Sequence, residues 1–126
     1  MCAALVLTTL GSTGLLQAQT AVAPAAEQAR PQQFYLRLTF PRPTFAKDMT
    51  AVERDQMRQH GAYWAEQFKS GKVLLLGPVD DPKGAFGVVV VECTEAEAHA
   101  MADGDPTVKS GMNKFEVVPM RVFMHK

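Results

Sequence analysis

The side chains in this chain able to move protons, hold metals or attack a carbon are few, and their spacing narrows the chemistry at once. His60, His99 and His125 lie far apart. None forms the i, i+4 pair of a metal-binding helix, and Cys2 and Cys93 do not make a Cys-x-x-Cys pair, so no zinc motif is legible. There is no glycine-rich phosphate loop and no Gly-x-Ser-x-Gly elbow. Cys93 closes an apolar run and reads as a core residue, not a nucleophile. His60 is the remaining candidate. It falls about 60° to one side of Met57 on a helical wheel, at the edge of an apolar stripe and near Trp64. A half-buried imidazole there suits a general base, and a carboxylate on its other nitrogen would fix tautomer and orientation. Asp105, directly before Pro106, reads as the cap of a short helix or the start of a turn.

The elements that position these residues are legible from periodicity. Phe34, Leu36, Leu38 and Phe40 alternate with Tyr35, Arg37 and Thr39, the period-2 signature of a half-buried strand. Pro41 and Pro43 end it and predict a rigid extended connection. Thr50 followed by Glu53 is a capping box that opens a helix. Met57, Gly61, Trp64 and Phe68 form its predicted core face, and Gly71 its end. Gly61 costs about 1 kcal/mol relative to Ala in mid-helix, which predicts a close approach to the sheet. Val73–Leu76 predicts a strand ending at Gly77-Pro78, Asp81-Pro82-Lys83-Gly84 a type I turn, and Ala85–Glu92 its hairpin partner. A second capping box at Thr94 and Glu97 opens a helix of about ten residues. A short turn or helix then ends near Gly111, and Lys114–Phe123 predicts the last strand.

The order βαββαβ predicts an α+β, ferredoxin-like fold: a four-stranded antiparallel sheet with two helices on one face. The other face is left bare. Strands as apolar as VLLL and VVVV would then expose a large patch, which predicts a homodimer packed sheet against sheet. The same order suits an RNA-recognition module, and Lys83–Val90 begins with its Lys-Gly. The aromatic stacking positions are instead Ala85, Gly87 and Val90, which argues against RNA.

Composition agrees. The 126 residues carry 13 basic and 13 acidic side chains with 47% hydrophobic content, an ordinary globular balance. Zero net charge lacks the basic footprint that nucleic acid or an anionic membrane surface requires, and points to small-molecule or protein partners. The balance is uneven, because the first 29 residues contain no Lys or Arg and one acid, Glu27. Residues 1–30, apolar and then Ala-rich, read as a signal peptide or a disordered leader, with cleavage sites after Ala18 or Ala23. The expected location is secreted or periplasmic if the leader is a signal and cytoplasmic otherwise. The apolar run is too short for a membrane span. Residues 31–126 make up the predicted domain, with Cys93 as its lone cysteine.

Gln33–Phe123 resembles the YciI-like (YCII-related) family of small dimeric α+β barrel proteins. The resemblance rests on His60 in the first helix, Gly71, Gly77-Pro78, the Ala85–Glu92 strand, Asp105-Pro106 and Gly111, in that order and spacing. PRPTF at Pro41–Phe45 and HGAYW at His60–Trp64 resemble one branch closely. The resemblance implies a dimer and an active site built on a His-Asp pair, carried here by His60 and Asp105. Relatives include a dehydrochlorinase acting on a chlorinated hydroxyquinol, and the wider superfamily includes muconolactone isomerases and small monooxygenases. Thr107 stands where an aromatic often follows the Asp-Pro.

The resulting expectation is an enzyme-like protein in which His60 handles a proton on a small cyclic or phenolic substrate and Asp105 orients it. Arg37 is a candidate to hold an anionic substrate group, and Tyr63 and Trp64 are candidate pocket walls, with Trp64 equally readable as core. No metal or cofactor is called for. The rival expectation is a non-catalytic dimeric module that binds a small ligand or a partner protein.

Overall fold

The computed structural model describes residues 31–126; the leader, its cleavage sites and Cys2 lie outside the described residues. Strand β1 (Gln32–Thr39) leads through a one-turn helix α1 (Phe45–Asp48) into the long helix α2 (Ala51–Lys69). The hairpin of β2 (Val73–Val79) and β3 (Phe86–Cys93) follows, then α3 (Glu95–Gly104), a second one-turn helix α4 (Pro106–Lys109), and β4 (Lys114–Met120). The strands form one antiparallel sheet in the order β2-β3-β1-β4. This is the ferredoxin-like order.

Alternation along β1 decides which face is covered. Phe34, Leu36 and Leu38 are buried beneath the helices with Val89, Val91 and Cys93 of β3. Trp64 of α2 and Ala98, Met101 and Ala102 of α3 pack on them and complete the core. Cys93 is part of that core, as its place in the sequence predicts, and burial pushes its thiol pKa up. On the opposite face Leu75, Val79 and Val118 remain exposed. The chain after Met120 leaves the sheet, so the last strand is shorter than Lys114–Phe123. Residues 122–126 instead line a groove with Leu74, Leu75, Val90 and Met120.

Both capping boxes form. The Thr50 hydroxyl accepts from the Glu53 N–H while the Glu53 carboxylate accepts from the Thr50 N–H, and Thr94 and Glu97 repeat the arrangement. Glu53 is engaged a second time, because the Arg42 guanidinium donates to both of its oxygens at 2.7 and 3.0 Å. Arg42 also reaches the Asp48 carboxylate at 2.8 Å. These bonds tie the Pro41–Thr44 connection and α1 to the first turn of α2, and hold the Glu53 carboxyl down to about 2.

Three further expectations are corrected. The connection after β1 is not wholly extended, since Phe45–Asp48 forms a turn of helix that buries Phe45 against Phe40, ring centroids 5.1 Å apart. Strand β2 runs through Gly77-Pro78 to Val79, which the sheet permits because β2 is an edge strand and Pro78 needs no ladder donor there. The face of α2 differs most. Trp64 is buried, but Phe68 is 53% exposed and nothing lies within 4 Å of where a Gly61 Cβ would be. The helix therefore does not approach the sheet closely at Gly61. Trp64, edge-on to Phe115 with centroids 5.6 Å apart, acts as a spacer and leaves a gap beneath the helix.

Candidate active site

That gap is a cavity of about 270 Å³. Helix α2 supplies one wall with Met57, His60, Gly61 and Trp64. The sheet supplies the other, through Leu38 and Phe40, the Leu76-Gly77-Pro78 edge, Gly87–Val89 and Phe115. Among the described residues that line it, His60 is the only titratable one. The site is thus an apolar cleft with one proton-handling group.

His60 is held from behind. Its Nδ1 lies 2.6 Å from Asp105 Oδ2, which leaves Nε2 as the nitrogen not engaged by the carboxylate. Asp105 belongs to the α3–α4 junction. Thr94 and Glu97 set the start of α3, and Pro106 takes the first position of α4, where its missing N–H is no loss. Asp105 is therefore the N-cap of α4. Its Oδ1 accepts from the Thr107 N–H at 2.8 Å and the Thr107 hydroxyl at 2.7 Å. Its Oδ2 accepts from the Trp64 indole N–H at 2.7 Å as well as from His60. The capping reading and the pairing reading of Asp105 both hold, because each uses a different oxygen.

A fully buried carboxylate needs this much company. Burial is the largest influence on Asp105 and pushes its pKa up, yet the hydrogen bonds from His60, Thr107 and Trp64 together outweigh it and hold the group below the usual carboxylate range. Stability follows with a definite sign. A depressed native pKa contributes fully above the unfolded value of about 4 and is lost as pH falls through the native value. Glu53 and Glu97, both held down to about 2, act in the same direction. These carboxylates are expected to make the unfolding temperature fall as pH drops below about 4, with a shallower fall in Asp105→Asn. A thermal melt series in pH checks this.

The remaining site candidates separate. Trp64 lines the cavity and is core as well, and it also orients Asp105, a role its sequence position did not disclose. Tyr63 does not line the cavity. It turns toward α3, where its hydroxyl donates to the Met101 carbonyl at 2.9 Å and fills the space that Gly104 leaves by lacking a side chain. Burial, with the nearby Asp105 charge, raises its pKa. Arg37 lies on the opposite face of the sheet from His60, its guanidinium 4.4 Å from the centre of the Phe86 ring, and does not reach this cavity. The reason is parity: Leu36 and Leu38 point to the helices, so Arg37 cannot.

Thr107, which stands where an aromatic often follows the Asp-Pro in the family, is buried and lies behind the pocket, doubly bonded to Asp105. The signal was present in Asp-Pro-Thr, since an N-cap aspartate accepts from the residue two positions on. Its carbonyl accepts from the Asn113 N–H at 3.0 Å, which joins the α4 turn to the start of β4.

Among the described residues, no group of three or more His, Cys, Asp or Glu side chains converges as a metal site, and no helix is long and apolar enough to cross a membrane. No protein of curated function matches the chain. An uncharacterized protein from Thermotoga maritima is similar in structure, with a TM-score of 0.48 and 13% identity over 73% of this chain and 100% of its own. The sequence profile of the YCII-related domain matches residues 33–121, and the chain belongs to that family.

Proposed function

We propose that the cavity beneath α2 is the active site of a small lyase- or isomerase-like enzyme, in which His60 Nε2 takes a proton from a small cyclic or phenolic substrate. The observation that carries this reading is the 2.6 Å bond from His60 to a fully buried Asp105, at the wall of an otherwise apolar cleft. Such a carboxylate fixes the imidazole tautomer and stabilises the positive charge the ring gains as it accepts the proton. The proton then returns to another atom of the substrate, which is an isomerisation, or remains on His60 while a leaving group departs, which is an elimination. Apolar walls suit a flat ring and strengthen the His60–Asp105 interaction relative to water.

The experiment is a panel of lactones, cyclic enones and halogenated phenols incubated with the protein in D₂O. Deuterium incorporation next to a ring carbonyl, or halide release, reports turnover. Activity that persists undiminished in His60→Gln overturns the reading.

The same reading has the chain acting as a homodimer packed through the open sheet face. Exposed Leu75, Val79 and Val118 on that face support it. Light scattering at micromolar concentration is expected to give the mass of two chains, and Val118→Lys to shift it toward one. A single-chain mass for the unaltered protein contradicts the dimer.

A further inference from the structure

We infer that Gly61 sets what the His60 cavity admits, by leaving its rim open, and that the ligand is an uncharged ring compound without a carboxylate. This rests on the reading of the cavity as the active site. Gly61 is a glycine for which neither backbone nor packing accounts. It is not among the glycines with positive φ, which are Gly71, Gly84 and Gly111. A Cβ placed on it meets nothing within 4 Å, whereas one on Gly87 would come to 2.9 Å from Leu38 Cβ. Packing demands glycine at 87 and not at 61. Yet Gly61 stands within a 19-residue helix, where glycine is unfavourable compared with alanine.

What Gly61 does have is a place on the cavity wall. Turns of about 100° per residue bring it onto the face that carries Met57, His60 and Trp64, all of which line the cavity with it. It is solvent-exposed while His60 is partly covered, so it lies at the mouth. A side chain there would project into open space that a ligand must cross or occupy.

The class of ligand follows from size and charge. An apolar cavity of about 150 Å³ already holds benzene. The 270 Å³ here leaves room for one ring with substituents. Among the described residues that line it there is no Lys, Arg, Asp or Glu. A carboxylate would shed its water to enter a cleft lined by no Lys or Arg among the described residues, where His60 Nδ1 is already engaged by the Asp105 carboxylate at 2.6 Å.

Two matched probes test this, 4-ethylphenol and 4-ethylbenzoate. Trp64 is the one tryptophan in the chain, so its indole N–H gives a single resolved NMR signal beside the cavity. The unaltered protein is expected to shift that signal with the phenol, and to bind the benzoate at least about tenfold more weakly. Gly61→Ala is expected to raise the unfolding temperature by roughly 4 °C while weakening phenol binding, an opposition of signs that a purely structural glycine would not produce. Gly61→Leu is expected to remove phenol binding, with the fold checked by its melt. Undiminished phenol binding in both variants overturns the role of Gly61. Equal binding of the benzoate, or no phenol shift in the unaltered protein, overturns the ligand class. His60→Gln separates this from the catalytic reading: Gly61-dependent phenol binding that survives there, with turnover also unchanged, leaves the inference standing and the general base refuted.

Discussion

Asp105→Asn is expected to abolish turnover and to destabilise the fold, through one cause. The carboxylate accepts four hydrogen bonds, two at each oxygen. An amide has one oxygen. If that oxygen faces Thr107, the amide nitrogen faces both the Trp64 indole and His60. The indole N–H then has no acceptor, and His60 must turn Nδ1 into an acceptor and carry its proton on Nε2. If the amide is reversed, both Thr107 donors lose their partner. A buried donor left unpaired costs about 1–3 kcal/mol, and either orientation leaves at least one. The first orientation also puts the wrong tautomer toward the substrate. Amidation of the orienting carboxylate in a Ser-His-Asp triad lowers turnover by about 10⁴-fold, and a loss of similar order is expected here. Asp105→Ala removes all four acceptances and is expected to cost about 3–5 kcal/mol. Urea melts and the deuterium assay read the two effects separately.

His60→Gln is expected to part the two effects, with turnover lost and the fold kept. The side chain is 17% exposed, and its removal leaves Asp105 with the bonds from Trp64 and Thr107. The stability change is expected to stay near 1 kcal/mol, the net value of one hydrogen bond. Turnover should fall by about 10²–10⁴-fold, the usual contribution of a positioned general base. The contrast is the informative part. A structural histidine would move stability and leave any turnover unchanged, which is the result expected of a non-catalytic module.

Most of the fold was legible because local rules agreed with the global arrangement. The alternation in Phe34–Phe40, the Thr50/Glu53 and Thr94/Glu97 boxes and the glycine at 71 each fix an element edge by a mechanism that acts within a few residues. What escaped depends on distant parts. Pro78 was expected to end a strand, but sheet order makes β2 an edge and lets it continue. Phe68 sits on the stripe of Met57 and Trp64, yet it is exposed near the end of α2. The helical wheel cannot register how far a helix stands from its sheet.

The site divides the same way. His60 was found from its place beside an apolar stripe, and Asp105 came through family resemblance and the Asp-Pro pair. Side-chain parity along β1 already placed Arg37 away from Leu36 and Leu38, and so away from the helices. Tyr63 and Trp64 are adjacent and differ in direction by about 100°, which sends one to Met101 and the other to the cavity. Only the spatial meeting of α2 with the α3–α4 junction shows that Trp64 and Thr107 serve Asp105.

The central claim is that Asp105 holds His60 with its proton on Nδ1 and Nε2 free for the substrate. Long-range ¹H–¹⁵N correlation NMR on the neutral imidazole of His60 reads this directly. A protonated Nδ1 and a bare Nε2 are predicted, with the pattern reversed or mixed in Asp105→Asn. A neutral ring carrying its proton on Nε2 in the unaltered protein would contradict the account.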